Sequence, residues 1–577
     1  MPARVVKLGL PRPSVAEVIR DAFEHLRAEM QIPADFPAPV NDEAAEVKTR
    51  FAEADLAQQF PRHDASTLDI PFLTIDPEGS MDLDQALHIE KLDSGFRVNY
   101  AIADVATYVR AGGAIDAEAQ SRGMTLYAPD GRTPLHPPAL SEDVASLLPD
   151  QVRAAAVWTI DLDETGKIAS IDVRRGIVRS RARLSYVEAQ ALIEAHLPSH
   201  APTSDPDGSG SIVENQDVAA VDTAALTATI SDECLDSVLL LASVGPLRQK
   251  VEQERGGVSL NVPEQEVHMT EDGDFELSFR SIMPVEDWNA QISLLTGMAG
   301  AQLMLKGGVG LLRTLPPADP RDLKRLRHTA HALGLNWRKD LSYGEFLDTL
   351  GAAGPREAAF QHEATTLFRG ADYLAFTQES VPGENAGKHN AIGAHYAHVT
   401  APLRRLGDRY TTEICLAIAE GREVPEWVME KLPELPKLLA DSGRRAGSYE
   451  RATIDIVEAA VLADNVGDTF EGAIVEVEDR DFKRGDVMIA DPAVHAQVRS
   501  LGELPLGEVV TVTLVEADIE RRRIRFQFGP LSVAQGQGQR QGQGKAQSQA
   551  ERGNVPGASG QRPSGNQSEA EGTSRGR

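Results

Sequence analysis

Thr74-Ile75-Asp76-Pro77-Glu78-Gly79-Ser80-Met81-Asp82-Leu83-Asp84 places three aspartates within nine residues. The block follows the apolar run Ile70 to Ile75 and precedes the alternating Ala86 to Ile89, so it interrupts strand-like sequence. Carboxylates this close raise one another's pKa and repel. A divalent cation would hold such a cluster together. An oxygen-only donor set with no Cys or His nearby favours Mg²⁺, or Mn²⁺, over zinc. Asp82 and Asp84 are two apart and leave the same face of an extended chain. A turn through Pro77 and Gly79 folds Asp76 back towards them. The plainer alternative is a solvated Asp-Pro-Glu-Gly turn with an acidic pair beside it. The spacing is not that of an EF-hand loop, which needs glycine at its sixth position and glutamate at its twelfth.

Working outward, 577 residues allow roughly three to four domains. A hydrophobic content of 41% with 25% charged residues is that of a water-soluble globular chain. Cys234 and Cys415, far apart and in no metal-type spacing, imply a reducing compartment without a disulfide framework. The N-terminus carries no apolar stretch of signal-peptide type. The run Val238 to Val244 is far shorter than the ~20 residues of a membrane span. A cytoplasmic protein without membrane contact is expected. The net charge of −29 weighs against nucleic acid as a partner. It weighs less if the binding surface is an internal channel and the acid lies outside.

Residues 1–65 are polar and helix-leaning. Ser14 and Glu17 form a capping box opening a helix to about Met30, with Val15, Val18, Ile19, Phe23 and Leu26 on one face. The proline-rich Ile32 to Pro39 ends it. Asn41 is placed to cap a second helix running to about Phe60. The two are expected to form a small module of helix-turn-helix type. Residues 66–465 mix short strands with helices up to about 190, carry an insertion at about 200–230 rich in Ser, Asp, Gly and Pro, and are mainly helical from 231. Residues 466–530 are β-rich, from Val509-Val510-Thr511-Val512-Thr513-Leu514-Val515 to the alternating Arg523-Ile524-Arg525-Phe526-Gln527-Phe528, which points to a small closed barrel. Residues 531–577, rich in Gln, Gly, Ser and Arg, cannot bury a core and are expected to be a disordered tail. The fold class is α+β.

Six separated blocks lie in order between positions 74 and 408. After the acidic block come Ala101-Ile102-Ala103-Asp104-Val105 with Tyr108-Val109, then Ser121-Arg122-Gly123-Met124-Thr125-Leu126-Tyr127 and Ser180-Arg181-Ala182-Arg183-Leu184-Ser185-Tyr186. Glu254-Arg255-Gly256-Gly257-Val258-Ser259 follows. The last runs from His389 through Tyr396-Ala397-His398-Val399-Thr400-Ala401-Pro402-Leu403-Arg404-Arg405-Leu406-Gly407-Asp408. Together they resemble the ribonuclease II/R family of processive 3′→5′ exoribonucleases. The resemblance implies an RNB-type catalytic domain followed by an OB-fold barrel, and a Mg²⁺-dependent hydrolase releasing 5′-mononucleotides from single-stranded RNA. It further implies that RNA threads a channel too narrow for a duplex.

On that resemblance Asp76, Asp82 and Asp84 are metal ligands, with Asp84 the one on which activity most depends. Arg404 clamps the scissile phosphate, as a guanidinium does bidentately. Its alternative is a structural ion pair with an aspartate such as Asp408. Tyr127 stacks on RNA near its 3′ end, and Arg405 is phosphate-binding or structural. In the barrel, Phe470 and Phe482 are candidates to stack bases, and Lys483, Arg484 and Arg521 to Arg525 to meet phosphate. Alternating Arg523 and Arg525 would equally suit the solvent face of a strand. His389, His395 and His398 have no zincin spacing and are read as structural or RNA-contacting.

The chain departs from the family pattern in three ways. The usual doubled aspartate is Asp84-Gln85 here; the amide oxygen of Gln85 can touch a hard cation but adds no charge. Ala401 stands where the family has serine before the proline. About 65 helix-leaning residues cannot encode the two cold-shock domains that relatives commonly carry, so closer approach to structured RNA is expected. A monomer is expected, with no protein partner to infer. The competing readings are a catalytically weakened RNA-binding protein of the same fold and a metal phosphodiesterase acting on DNA, since no residue can be named as the reader of the 2′-hydroxyl.

Overall fold

The computed structural model describes residues 14–52, 56–197, 218, 220–258, 264–270, 275–280, 282–350, 354–478 and 480–530. The apolar stretch that opens the acidic block is β1 (Phe72–Asp76), followed by β2 (Gln85–Lys91), β3 (Phe96–Ala103), β4 (Leu126–Ala128), β5 (Gly131–Thr133), β6 (Val152–Leu162) and β7 (Ile168–Ser185). Strands β1, β2, β3, β6 and β7 close in that order into a barrel. β1 runs parallel to β7, with Asp76 opposite Ser185, and the other pairings are antiparallel. The sequence leads one to expect short strands here, yet β6 has 11 residues and β7 has 18. β6 is buried on both faces along Ala154 to Trp158, so it carries no alternation to mark its length.

The helices Asp232–Glu254 and Pro284–Gly307 cover the barrel, and Leu406–Ala419 is buried along most of its length. Gly297 lets the second of these helices meet the segment Tyr396–Ala397. A Cβ there would lie 2.1 Å from Tyr396 Cε2 and 2.6 Å from the Ala397 carbonyl oxygen. Ala397 N–H donates to the Gly297 carbonyl at 3.1 Å, which starts the path of residues 397–405 across the barrel.

Two two-stranded sheets, absent from the helical expectation for 231–465, are β8 (Glu264–Met269) with β9 (Phe275–Arg280) and β10 (Gly310–Thr314) with β11 (Asp372–Phe376). The second barrel is as expected. β12 (Thr469–Glu478), β13 (Asp481–Ile489), β14 (Val494–Ser500), β15 (Val509–Asp518) and β16 (Arg523–Phe528) close in the order β12-β13-β14-β16-β15, with β14 and β16 parallel. That is the five-stranded arrangement of an OB-type barrel.

The N-terminal region is helical, and the Ser14/Glu17 capping box is present on the helix Val15–Glu29. Asn41 does not cap the second helix, which begins at Ala38; its side chain donates to the Phe36 carbonyl from within the first turn. Nor do the two helices share a core. Ile19, Phe23 and Leu26 pack with Tyr449 and Ile456 of the helix Leu435–Val461, whereas Val40, Ala44 and Val47 pack with Tyr108 and Ile115. A helix-turn-helix unit would need a common core, and these helices spend their apolar faces on two different ones. Within the expected insertion at 200–230, Thr223–Thr229 is helical and capped by Asp222. Most of its remainder, and the expected tail 531–577, lie outside the described residues. No helix among the described residues is long and apolar enough to cross a membrane.

Candidate active site

The acidic block ends β1 and reaches β2 through a loop whose shape is held by named bonds. Ser80 N–H donates to the Pro77 carbonyl, and Gly79 takes φ +77°, a left-handed value at which glycine carries no Cβ penalty. Ser146 pins the far end, accepting the Leu83 N–H at 2.9 Å while its hydroxyl donates to the Met81 carbonyl at 2.7 Å. Leu83 is thereby buried, and Asp84 is turned inward with its side chain 4% exposed.

Asp84 meets residues more than 300 positions later in the chain. Its Oδ1 accepts the Leu403 N–H at 2.7 Å, and its Oδ2 lies 3.3 Å from Arg404 Nε. The Arg404 side chain is 45% exposed and so remains open to solvent. Backbone bonds fix its base: Thr125 N–H donates to the Arg404 carbonyl and Leu406 N–H to the Gly123 carbonyl. Those residues lead into β4, whose Tyr127 is 46% exposed and stands in register with Arg132 of β5. Arg132 in turn binds Asp82 and Glu142.

Electrostatics distinguish these carboxyls from surface ones. Burial pushes Asp76 up to about 6 against the pull of Arg404. Burial pushes Asp84 up to about 8, although Arg404 and the Leu403 N–H oppose the shift. Asp76 Oδ2 and Asp84 Oδ2 are buried without a hydrogen-bond partner. Buried carboxylate oxygens that accept no hydrogen bond are costly, and a divalent cation with oxygen ligands is the group that would complete them. The donor set fits such an ion. The three aspartates do not, however, form a closed cluster, because Asp82 is drawn to Arg132; the described group whose donors all lie within 4.8 Å of one another is a different one, in the second barrel.

Gln85 opens β2 with its amide engaged at both ends. Nε2 donates to the Thr400 carbonyl at 2.6 Å, and Oε1 accepts the Tyr100 hydroxyl at 3.2 Å. In place of a ligand for the cation, the structure gives Gln85 the part of a strut between the barrel and the segment bearing Arg404. Arg405, expected to be phosphate-binding or structural, takes the structural part. Its guanidinium donates twice to Asp408 Oδ2, at 2.7 and 3.2 Å, and to Thr400 Oγ1. Asp408 also accepts the Ala401 N–H at 2.8 Å. The ion pair with Asp408 therefore belongs to Arg405, which builds the turn, and leaves Arg404 for Asp84.

Phe470 and Phe482 part in the same way. Phe470 packs edge-on against Phe526, centroids 5.8 Å apart, at the edge of the barrel core, whereas Phe482 is 56% exposed. Arg523 and Arg525 of β16 pair with Glu516, and Arg521 and Arg522, in the turn before that strand, pair with Asp518 and Glu29. Arg484 pairs with Asp481. His398 binds the Tyr373 hydroxyl and His395 the Ala386 carbonyl, and both read as structural. Sequence reasoning missed Arg132, Tyr100, Ser146 and the Leu403 N–H. Leu403 stood in one of the six blocks without a role, the other three lay outside every block, and for Phe470 the alternation along β12, which turns it to the same side as Ile474, was there to be read.

Comparison with known proteins agrees with this architecture. The RNB domain family model matches residues 62–420, and the RNase II-type exonuclease C-terminal S1 domain matches residues 468–528. The chain belongs to the RNB family, of the ribonuclease II/R type. It is 24% identical over 530 residues to Ribonuclease R of Aquifex aeolicus, across 88% of this chain and 70% of that one. It is 26% identical over 540 residues to Ribonuclease R of Vibrio cholerae, across 86% of this chain and 60% of that one, so it spans well under the full length of both relatives. Among solved structures, Mycoplasma genitalium RNase R in complex with ribose-methylated single-stranded RNA superposes with a TM-score of 0.74 at 19% identity, covering 89% of this chain and 78% of that one. The same enzyme with double-stranded RNA gives 0.72 at 20% identity, covering 89% and 83%. These likenesses establish the fold.

Proposed function

We propose that this chain is a divalent-cation-dependent 3′→5′ exoribonuclease that degrades single-stranded RNA processively to 5′-mononucleotides in the cytoplasm. The observation that carries the reading is the pairing of buried Asp84 with half-exposed Arg404, beside the exposed ring of Tyr127. Asp76, Asp82 and Asp84 would hold the cation, with Mg²⁺ the ion their oxygen donors suit. Bound there, a divalent cation polarises a phosphoryl oxygen and lowers the pKa of an attacking water.

The residues of the chain do the rest. Arg404 offers its guanidinium to the equatorial oxygens of the scissile phosphate, where negative charge grows in the transition state. A preorganised donor of this kind contributes about 3–4 kcal/mol. Asp84 holds that guanidinium at one end while the Leu403 N–H holds Asp84. Tyr127 stacks on a base, a contact that every base offers equally and that is worth about 1–3 kcal/mol. Sequence-blind digestion follows from such a site. Phe482 extends the stacking surface to the second barrel.

The test is Mg²⁺-dependent digestion of a 5′-labelled single-stranded RNA, with a matched DNA beside it. A ladder collapsing to a short limit product from RNA alone supports the proposal. RNA bound but intact in the presence of Mg²⁺ would favour the binding-protein reading, and equal digestion of DNA the phosphodiesterase. Because Mycoplasma genitalium RNase R, which shares this fold, is solved in complex with double-stranded RNA, we further propose approach close to duplex RNA. A hairpin whose short 3′ overhang stalled digestion many nucleotides from the stem would refute that part.

A further inference from the structure

The second barrel carries a cluster that the proposed chemistry does not use. Glu476 of β12 stands opposite Asp486 of β13, and His495 of β14 is opposite Met488, two residues along from Asp486. Residues two apart on a strand share a face, so these side chains line one outer face of the barrel. The helix Pro355–Ala364 lies on that face, with Ala359 and Phe360 packed in one core with Ala473 and Val475. Its last turn presents His362. One donor atom each of His362, Asp486 and His495 lie mutually within 4.8 Å. His362 Nε2 is 3.5 Å from Glu476 Oε2, and the two imidazoles are tilted by 38° with centroids 4.6 Å apart.

Two features set this cluster apart from a solvated charge group. Two carboxylates face each other directly across a strand pair, an arrangement that is destabilising unless a positive charge intervenes. His495 Nε2 is buried without a hydrogen-bond partner, while the backbone N–H of the same residue is tied to Glu458 at 3.0 Å. Two imidazoles and a carboxylate are the donors of a zinc site, unlike the all-oxygen set at Asp76, Asp82 and Asp84.

We propose that His362, Asp486 and His495 bind one Zn²⁺, with Glu476 as the fourth donor, fastening the helix Pro355–Ala364 to the S1 barrel. Tetrahedral zinc places imidazole nitrogens at about 2.0–2.1 Å and carboxylate oxygens at about 2.0–2.2 Å from the ion, so binding draws these side chains closer together than they stand here. The site serves structure, since all its positions are taken by protein.

The experiment is calorimetric titration of the full chain with ZnCl₂ in millimolar Mg²⁺, which keeps the acidic site supplied with its own ion. One equivalent of tight Zn²⁺ is expected for the parent chain and for Asp84→Asn. His362→Asn and Asp486→Asn should each weaken it by more than ~100-fold. Zinc should raise the thermal midpoint of the parent and leave that of His362→Asn unmoved. Because the His362 side chain is 30% exposed, that variant should fold with the zinc-free parent's midpoint. Zinc bound equally by parent and His362→Asn, lost in Asp84→Asn, or not bound at all would overturn the proposal.

Discussion

Asp84 Oδ1 accepts the backbone N–H of Leu403 at 2.7 Å, joining two points of the chain 319 residues apart. The bond sets the last turn before Arg404, and the other oxygen of the same carboxyl faces that guanidinium. A carboxylate expected from sequence to serve a cation therefore also positions the residue expected to clamp phosphate.

Asp84→Asn should separate these tasks. An asparagine oxygen still accepts the Leu403 N–H, so the turn persists, while the charge facing Arg404 and any cation is lost. Cleavage should fall by at least ~10³-fold with RNA affinity nearly unchanged. Stability should hold or rise, because an amide replaces a carboxyl that burial disfavours as an anion. Urea denaturation and gel shift beside the cleavage assay check this; a large loss of stability would contradict it.

Adjacent arginines should fail differently. Arg404→Ala should cost about 3–4 kcal/mol in transition-state stabilisation with little change in folding. Arg405→Ala strands Asp408, whose side chain is 1% exposed, and should cost about 3–5 kcal/mol of stability. Chemical denaturation of both variants distinguishes the roles.

Gln85→Ala should leave the Mg²⁺ concentration for half-maximal activity unchanged, since its amide is spent on Thr400 and Tyr100. Turnover should drop several-fold through loss of the strut, with about 1–2 kcal/mol of stability. A clear shift in the Mg²⁺ requirement would return Gln85 to the ligand set.

Arg132→Ala releases Asp82 from its present partner. Less Mg²⁺, by a few-fold, should then be needed for half-maximal activity, because cation and guanidinium compete for one carboxylate. A Mg²⁺ titration of activity on a short RNA reads this directly.

Asp104 is buried between Arg175 Nε at 2.7 Å and the Thr107 hydroxyl at 2.6 Å, with His63 at 3.7 Å. Burial works to raise its pKa, but Arg175 and these donors prevail and hold it well below the usual carboxylate range. A depressed folded-state pKa means stability that is complete above the unfolded value of about 3.9 and is lost as pH falls through the folded value. Asp104→Asn should therefore cost about 3–5 kcal/mol at pH 7. The two stability curves should converge in acid; a constant gap across urea melts from pH 7 to pH 3 would contradict the assignment.

Local chemistry made much of the molecule legible in the chain itself. The Ser14/Glu17 capping box, the alternation of β16 and the turn through Pro77 and Gly79 each act within a few residues, so spacing alone reveals them. The acidic block declares its chemistry because three aspartates in nine residues demand a counter-charge. What tertiary structure alone decided is which of two similar neighbours does what. Arg404 and Arg405 differ by where one turn, bonded to Asp84 and Asp408, aims each side chain. Gln85 became a strut because Thr400 crosses its strand. The N-terminal helices divided between two cores because each apolar face found a different neighbour. Such outcomes depend on contacts between residues hundreds of positions apart, and no local pattern of residues encodes the direction in which a side chain will find its partner.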